Sequence, residues 1–412
     1  MKEQDNKFVD EIKNLLSSYV QADELNDFIN KFEVDSAVNN SSTEMINKFY
    51  AQQLQIEYSL GRDRMQLDRA ITFAQKTLPT KKYLVLLKNL AQLCIANGKL
   101  SFAVEILTKL LKQNIEEGLK AEAFLLLSDV FSRMADWNKS IEALGKANDL
   151  FMQTGNDNGR SKCENMLGVI HGEKGNLLQA KEHFEKCLYH LDREEDRELR
   201  ASVESNLGII LNIQGDYNQA SNLFEKALYF FESAKNFRRI AELNQNIGML
   251  HLNKNEYDAA LIQIDKSIEI ALSNKLIPVL ALSYLSKANI LLAMENFEAA
   301  LAFTDKTLEL SNLIDDKLSI ADIYRLKGII ERKMKNYYKA ENYLQSSLRL
   351  NKNKENDLNT AEAKMELGKL YGEMDLRSKK EEILRESLRE YQALNVADKV
   401  RKIEEMLSAP MV

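Results

Sequence analysis

One position in this chain recurs at a fixed interval of forty residues, and that interval constrains the fold more than any other feature. Small residues occupy the position throughout: Ser128, Gly168, Gly208, Gly248, Ala288, Gly328 and Gly368. A period of this length indicates one supersecondary unit that is copied many times. Stacked copies contact mainly their neighbours and share one extended surface, which predicts a protein that works by holding something along it.

Each copy has the pattern of two helices joined by a tight turn. Around Gly208 the apolar residues recur at intervals of three and four, which is helical spacing. The first helix stops at Gly215, and Tyr217 opens the second. A glycine inside a helix costs about 1 kcal/mol relative to alanine. Its recurrence therefore predicts that the two helices cross closely, with Gly208 facing the small Ala220.

This pattern resembles the tetratricopeptide repeat, which has two antiparallel helices with small and aromatic residues at set positions. One copy carries the resemblance through Asn206, Leu207, Gly208, Leu211, Tyr217, Ala220, Phe224 and Ala227. The family's usual period is about 34 residues. The longer period here, with only three prolines in the chain, is similar to the extended subclass found in Pins-type adaptors, kinesin light chains and Rap-type regulators.

The resemblance implies an all-α fold, a right-handed superhelical solenoid of antiparallel helix pairs with capping helices at both ends. We expect an N-terminal helical cap or small bundle over residues 1–49. An array of about nine helix pairs is expected over residues 50–391. A C-terminal capping helix and tail are expected over residues 392–412.

The N-terminal part of the chain departs from the regular pattern. Residues 8–19 and 25–32 each have the apolar stripe of a short amphipathic helix, and a polar stretch follows them. The first pair of the array is predicted to be degenerate, with helices over residues 50–60 and 67–78.

Charge and hydropathy exclude two classes of partner. The net charge is −6, with both signs interspersed. Residues 1–79 hold nine Lys and Arg against thirteen Asp and Glu, so an N-terminal DNA-binding domain is not expected. No apolar run reaches the roughly 20 residues that a membrane-spanning helix needs. These features predict a cytoplasmic protein with no nucleic-acid and no membrane partner.

The histidines and cysteines, the residues best suited to catalysis or metal binding, have positions that favour packing. The three cysteines, Cys94, Cys163 and Cys187, lack a metal-binding spacing, and we expect small buried roles for them. His171 and His251 occupy a helix position that is apolar in neighbouring copies. We expect both to be packed and hydrogen-bonded.

One helix combines His183, Cys187 and His190 at intervals of four and three, a zinc-like spacing without a fourth ligand. By register, Cys187 faces the interior of the helix pair and His183 faces solvent, which argues against a shared metal ion. No phosphate-binding loop or nucleophile elbow occurs in the chain. We therefore expect no metal, no cofactor and no enzymatic activity.

The resemblance also implies that the first helix of every pair lines a concave groove. The residues expected to face that groove are Asn165, Asn206, Ile209, Asn212, Gln245, Asn246, Met249, Leu285, Asn289, Arg325 and Arg332. An asparagine side chain offers one acceptor oxygen and two donor hydrogens, so it can pair with both backbone groups of an extended peptide. Asn206 and Asn246 occupy the same position in neighbouring copies and form the centre of the expected site.

Two alternatives stay open for these side chains. The amides of Asn206 and Asn246 either contact a peptide or hydrogen-bond to adjacent helices. Arg325 and Arg332 either meet an acidic group of the ligand, since arginine pairs bidentately with carboxylate, or belong to a solvated charged face.

The resulting hypothesis is a non-enzymatic scaffold that binds a peptide or a partner helix in its concave groove. The alternative is a peptide-responsive bacterial signalling regulator of the Rap type, in which the N-terminal bundle over residues 1–49 is the effector. The sequence leaves the oligomeric state and the identity of the partner open.

Overall fold

The computed structural model describes residues 7–20, 48–191, 196–314, 316–353, 356–394 and 396–408. These residues form helices and no β-strand, which confirms the all-α prediction. In chain order the helices are α1 (Lys7–Ser17), α2 (Lys48–Thr77), α3 (Thr80–Ala96), α4 (Leu100–Leu111), α5 (Glu117–Arg133), α6 (Trp137–Gln153), α7 (Asp157–Glu173), α8 (Leu177–His190), α9 (Arg197–Gln214), α10 (Tyr217–Ser233), α11 (Phe237–Asn253), α12 (Tyr257–Ser273), α13 (Ile277–Ala293), α14 (Phe297–Leu313), α15 (Lys317–Lys333), α16 (Tyr337–Asn353), α17 (Asp357–Glu373), α18 (Arg377–Ala393) and α19 (Ala397–Ser408). Their contacts form two compact units, one up to Val130 and the other from Phe131.

In the first unit, α1 packs against α2 and α3. Phe8, Ile12 and Leu16 of α1 are buried. The Nδ2 group of Asn89 in α3 donates a hydrogen bond to the Tyr19 hydroxyl at 2.6 Å. The N-terminal helix is therefore fixed by apolar burial and by a polar contact. The amphipathic helix predicted near residues 25–32 lies outside the described residues.

Helix α2 runs unbroken from Lys48 to Thr77, so the prediction of separate helices over residues 50–60 and 67–78 is wrong. The stretch between them contains no stop signal, because Gly61 is followed at once by charged residues that continue the helix. One of these, Asp63, accepts a hydrogen bond from the Lys99 ammonium at 2.6 Å. This ion pair holds the middle of α2 against the start of α4.

The second unit has a strict period. Its A helices, which are α7, α9, α11, α13, α15 and α17, begin forty residues apart from Asp157 to Asp357. Its B helices, which are α6, α8, α10, α12, α14, α16 and α18, begin midway between them. Helix α19 packs against α18 at the end of the unit. The register predicted from the sequence is confirmed over this part of the chain.

The described junctions of the second unit share one kind of short turn. At Gly215 the backbone is left-handed (φ 89°), and the N–H of Asp216 donates to the Leu211 carbonyl at 2.9 Å. The Asp216 side chain then caps α10 by accepting from the N–H of Gln219. Asp216 thus ends α9 through its backbone N–H and caps the start of α10 through its side chain. Non-glycine residues are left-handed at other junctions: Ala135, Lys235, Asn255, Lys275, Glu295, Lys335 and Asp375.

The glycines of the forty-residue register each leave room for one large side chain. A Cβ added at Gly208 would lie 2.6 Å from the ring of Phe224, sixteen residues further on. The same crowding occurs in the pairs Gly168–Phe184, Gly248–Ile264, Gly328–Leu344 and Gly368–Leu384. At Ala288 the residue sixteen positions on is the smaller Thr304, which is also buried. The two positions are therefore complementary in size.

This packing corrects the expectation that glycine simply faces alanine on the second helix. The alanine backbone does come close to two of the glycines, with 3.2 Å from an added Cβ to the Ala260 and Ala340 carbonyl oxygens. The closest atoms nevertheless belong to the large side chain in each case. The missing methyl group is needed mainly to seat that side chain.

The second unit also contacts itself between residues far apart in sequence. The N–H of Asp357, at the start of α17, donates to the Lys174 carbonyl oxygen at 3.3 Å. A Cβ added at Gly175 would lie 2.6 Å from the Cβ of Leu358. Leu358 and Val396 also pack against an apolar cluster formed by α8 to α11. The row of A helices therefore curves until α17 returns to the end of α7.

Glu173 lies beside this contact among other carboxylates. Solvent reaches its side chain, although many protein atoms surround the carboxyl group. Burial, followed by the charges of Asp322 and Asp316, raises the pKa of Glu173 from 4.5 to about 7, while Arg133 opposes the shift. The Glu173 carboxyl group therefore changes its charge near neutral pH.

The size match between Gly208 and Phe224 predicts strong energetic coupling. Gly208→Ala is expected to destabilise the protein by about 1–2 kcal/mol, because overpacking of about 1–3 kcal/mol exceeds the gain in helix propensity. In a Phe224→Thr background, which copies the Ala288–Thr304 pair, the same substitution should be neutral or stabilising. Urea denaturation of the four proteins measures the coupling, and additive effects would contradict the packing role.

The raised pKa of Glu173 predicts a stability that falls with increasing pH. The folded state holds this proton more tightly than the unfolded state, so the stabilisation is complete below the ordinary pKa of 4.5 and is lost as the pH rises through about 7. Glu173→Gln should reduce the difference in denaturation midpoint between about pH 5 and about pH 8. Identical pH dependence in both proteins would contradict this assignment.

Candidate functional site

The A helices form the inner wall of the second unit. Consecutive A helices contact one another, whereas consecutive B helices of the described chain have fewer contacts or none. A curved double row of helices has this spacing only when the closer row is on the concave side. The positions predicted to face the groove all lie on A helices, from α7 to α15.

Several of the predicted amides bridge neighbouring A helices. The Asn206 Nδ2 donates to the Asn165 Oδ1 at 3.1 Å, and the Asn253 Nδ2 donates to the Asn212 Oδ1 at 3.0 Å. Both bonds join residues that are 41 positions apart, one repeat plus one residue. The Gln245 Nε2 donates to the hydroxyl of Ser286 at the same separation, at 2.7 Å. These contacts link each A helix to the next along the inner wall.

The remaining central positions form no hydrogen bond to a neighbouring A helix within the described residues. Asn289 donates to the carbonyl of Leu285 in its own helix at 3.0 Å. The Asn246 side chain is half-buried and has no hydrogen bond to another residue in the described part of the chain. Ile209, Met249 and Leu285 are half-buried as well. The wall around Asn246 therefore presents both apolar surface and an amide that can still bind.

Sequence reasoning missed one polar residue of this wall, Ser286. It is buried, and its hydroxyl accepts the hydrogen bond from Gln245. The forty-residue register identifies it, since Asn206, Asn246 and Ser286 each stand two positions before a small register residue. Met166 holds the same position one repeat earlier and Leu326 holds it one repeat after Ser286, so the uninterrupted polar run extends from α9 to α13, and Glu366 on α17 is the next polar residue at this position.

The equivalent hydrogen bond between α9 and α11 is missing from the described residues. The Asn206–Asn165 and Gln245–Ser286 hydrogen bonds have the same register. In each bond, one residue stands three positions before a small register residue, and its partner stands two positions before the next one. Between α9 and α11 those positions hold Ser205 and Asn246, and no hydrogen bond joins the two side chains within the described residues. A serine side chain is shorter than an amide side chain, which leaves Asn246 without a bridge. We refer to Asn206 and Asn246 as the amide pair.

The predicted basic positions have acidic partners within the chain. Arg325 forms ion pairs with Glu362 at 3.0 Å and Asp322 at 3.5 Å. Burial opposes the charge of Arg325, but these carboxylates raise its pKa above the usual range. The guanidinium group is already paired in the structure, and its role toward a ligand stays a prediction.

Arg332 is more deeply buried than Arg325. It pairs with Glu366 at 3.0 Å, with side-chain exposures of 7% and 8%, and it also pairs with Glu373. Burial alone would raise the pKa of Glu366, yet Lys369 and Arg332 hold that pKa below its ordinary value. The pair links α15 to α17 at the end of the predicted groove.

The candidate zinc ligands point to separate partners. The Nδ1 atom of His183 lies 2.8 Å from the Glu164 carboxylate, and its ring stacks on His171. The Cys187 thiol donates to the Ser161 carbonyl at 3.1 Å. Burial raises the pKa of Cys187 to about 12, which leaves it protonated near neutral pH. In the described part of the chain, no group of three or more His, Cys, Asp or Glu residues is placed to hold a metal ion.

The described helices were compared with the length and polarity that a bilayer requires. None of them is both long enough and apolar enough to span a membrane.

The buried pair of Arg332 and Glu366 predicts a large effect of one substitution. Arg332→Met is expected to lower the free energy of unfolding by about 2–3 kcal/mol, below the usual 3–5 kcal/mol because Lys369 still neutralises Glu366. Arg377→Met is the control, because its exposed pair with Glu381 should contribute less than about 0.5 kcal/mol. Equal effects in chemical denaturation would show that Arg332 does not stabilise the inner wall.

Comparisons with known proteins agree with this architecture. The model of a tetratricopeptide-repeat family matches residues 161–233, 199–273 and 279–353. No curated protein matches the sequence significantly.

Solved structures show the same fold at low sequence identity. A Rap protein complexed with competence and sporulation factor has a TM-score of 0.57 and 12% identity, covering 79% of this chain and 97% of that one. NprR in complex with its cognate peptide NprX has a TM-score of 0.52 and 14% identity, covering 81% and 91%. The Cut9–Hcn1 hetero-tetramer of the APC/C has a TM-score of 0.51 and 16% identity, covering 82% and 59%. Residues 161–273 and 279–353 of the chain are tetratricopeptide repeats.

Proposed function

We propose that the chain is an interaction scaffold whose inner wall binds an extended peptide along α7 to α13. The observation that carries this proposal is the amide pair, which supplies one asparagine from each of two successive A helices. Asn246 has no hydrogen bond within the described residues, and Asn206 uses one of its donors on Asn165. The carbonyl oxygen and second N–H of Asn206 remain for a ligand.

The spacing of the pair suits a peptide in an extended conformation. Packed helices lie about 8–10 Å apart, and an extended chain advances about 3.3 Å per residue. The two asparagines would then meet backbone groups about three peptide residues apart. Half-buried apolar residues lie three positions after the amides, at Ile209 and Met249. They offer contacts for the peptide side chains in between.

The similar structures support a peptide as the ligand. The Rap protein and NprR were both solved as complexes, and the second complex is with a peptide.

The second candidate is a peptide-responsive regulator of the Rap type, with the N-terminal segment as effector. The docking of α1 through Asn89 and Tyr19 favours it, because a docked helix can be released. A scaffold would bind peptide with no change in α1. A regulator would show altered hydrogen exchange in α1 on the same binding event.

The amide pair predicts a selective loss of peptide binding. Linear peptides selected from a random phage-displayed library should bind the double variant Asn206→Ala, Asn246→Ala more weakly. Each buried hydrogen bond lost should cost about 1–3 kcal/mol. Isothermal titration calorimetry measures the change, and Asn138→Ala, an exposed position on α6, is the control. Unchanged affinity in the double variant would contradict the proposed site.

A further inference from the structure

The outer face carries a row of clefts, each lying between two B helices with an A helix as its floor. The cleft between α10 and α12, over α11, encloses about 730 Å³. Its walls and floor include Leu228, Phe237, Ile240, Ile247 and Ile270. The neighbouring cleft between α8 and α10, over α9, encloses about 410 Å³. Both open on a different side of the A helices from the amide pair.

Aromatic side chains fill the equivalent clefts in the next two repeats. Tyr284 stands forty residues after Asn244, and its ring lies 5.4 Å from that of Phe303. One repeat later, the ring of Tyr324 lies 6.0 Å from that of Tyr343. At the open cleft, Asn244 instead donates to the carbonyl of Ile240 in its own helix at 2.8 Å. It therefore does not reach the opposite wall.

A lysine on the floor also crosses each filled cleft, and the floor of each open cleft lacks it. Lys287 on the floor pairs with Asp265 on the wall at 2.6 Å, and Lys327 pairs with Asp305 in the same way. At the larger open cleft the wall retains an acid, Glu225, but the floor residue is Ile247. The smaller open cleft has the equivalent combination of Glu185 and Leu207. Each open cleft keeps the acid and lacks the floor lysine.

The dimensions of the larger cleft match a short helix. Its lining runs from Ser221 to Glu232 on α10 and from Gln263 to Asn274 on α12, which is roughly 16 Å at 1.5 Å per residue. That length accommodates about three turns of a helix packed between two parallel walls. The floor stripe on α11 is largely apolar, and Phe237 at its start is 50% exposed. This is the shape of a helix-in-groove site.

The charges of the larger cleft select the partner. Glu225, Glu232 and Glu269 line the cleft together with one lysine, Lys266. We propose that this cleft binds an amphipathic helix of a partner protein. Leu, Ile or Val side chains at positions i, i+3 or i+4 and i+7 pack on the α11 floor, and flanking Lys or Arg residues meet the acidic walls. One of those basic residues replaces the missing floor lysine opposite Glu225.

A designed peptide pair tests this proposal. The probe is a labelled helical peptide of about fourteen residues with Leu on one face and Lys on the flanks, and its counterpart carries Glu in place of Lys. Fluorescence anisotropy should show saturable binding of the Lys peptide and little binding of the Glu peptide. The variant Asn244→Tyr, Gln263→Phe copies the filled Tyr284–Phe303 cleft and should bind the Lys peptide at least about tenfold more weakly.

Two further variants keep the test decisive. The charge-reversal variant Glu225→Lys, Glu232→Lys, Glu269→Lys leaves the apolar floor intact, and it should prefer the Glu peptide. Asn246→Ala on the inner wall is the matched control and should bind the Lys peptide as the wild type does. Absence of saturable binding to the wild type, or binding of the Lys peptide by the filled and charge-reversed variants as tightly as by the wild type, would overturn the proposal.

Discussion

The contact between a register glycine and a large side chain sixteen residues later sets the geometry of the second unit. The ring of Phe224 occupies the space that a methyl group at Gly208 would need, and equivalent pairs occur in other repeats. Because the two helices of a pair cannot separate without emptying that space, each pair is held at a close, constant crossing. Repetition of one crossing forces the row of A helices to curve. The contact between Lys174 and Asp357 is a consequence of that curvature.

Curvature gives the two faces different properties from one repeating pattern. On the inner face, close A helices allow polar side chains to bridge neighbouring repeats, as Asn206 and Asn165 do. On the outer face, B helices spread apart and leave clefts that side chains must fill or leave open. Tyr284 fills its cleft, whereas Asn244 does not. Function can therefore change from repeat to repeat without altering the packing that supports the fold.

The period predicted most of the fold of this unit, including the helix pairs and the turn at Gly215, because those features depend on local residue spacing. It did not predict the pairing of Arg332 with Glu366, since contacts between adjacent repeats depend on how far the row curves. The single long helix α2 differs from the prediction for another reason: its weak apolar pattern favours two helices, although no stop signal lies between them. The forty-residue register could have predicted Ser286 as part of the inner wall, because it occupies the same repeat position as the amide pair.

The central claim is that the amide pair holds the backbone of a peptide. The most direct measurement is a crystal structure of the full chain with a peptide selected to bind it. The account predicts an extended peptide along the A helices, with a backbone group within about 3.2 Å of the Asn246 side-chain amide. A peptide seated elsewhere, with the side chains of Asn206 and Asn246 turned away from it, would contradict the account.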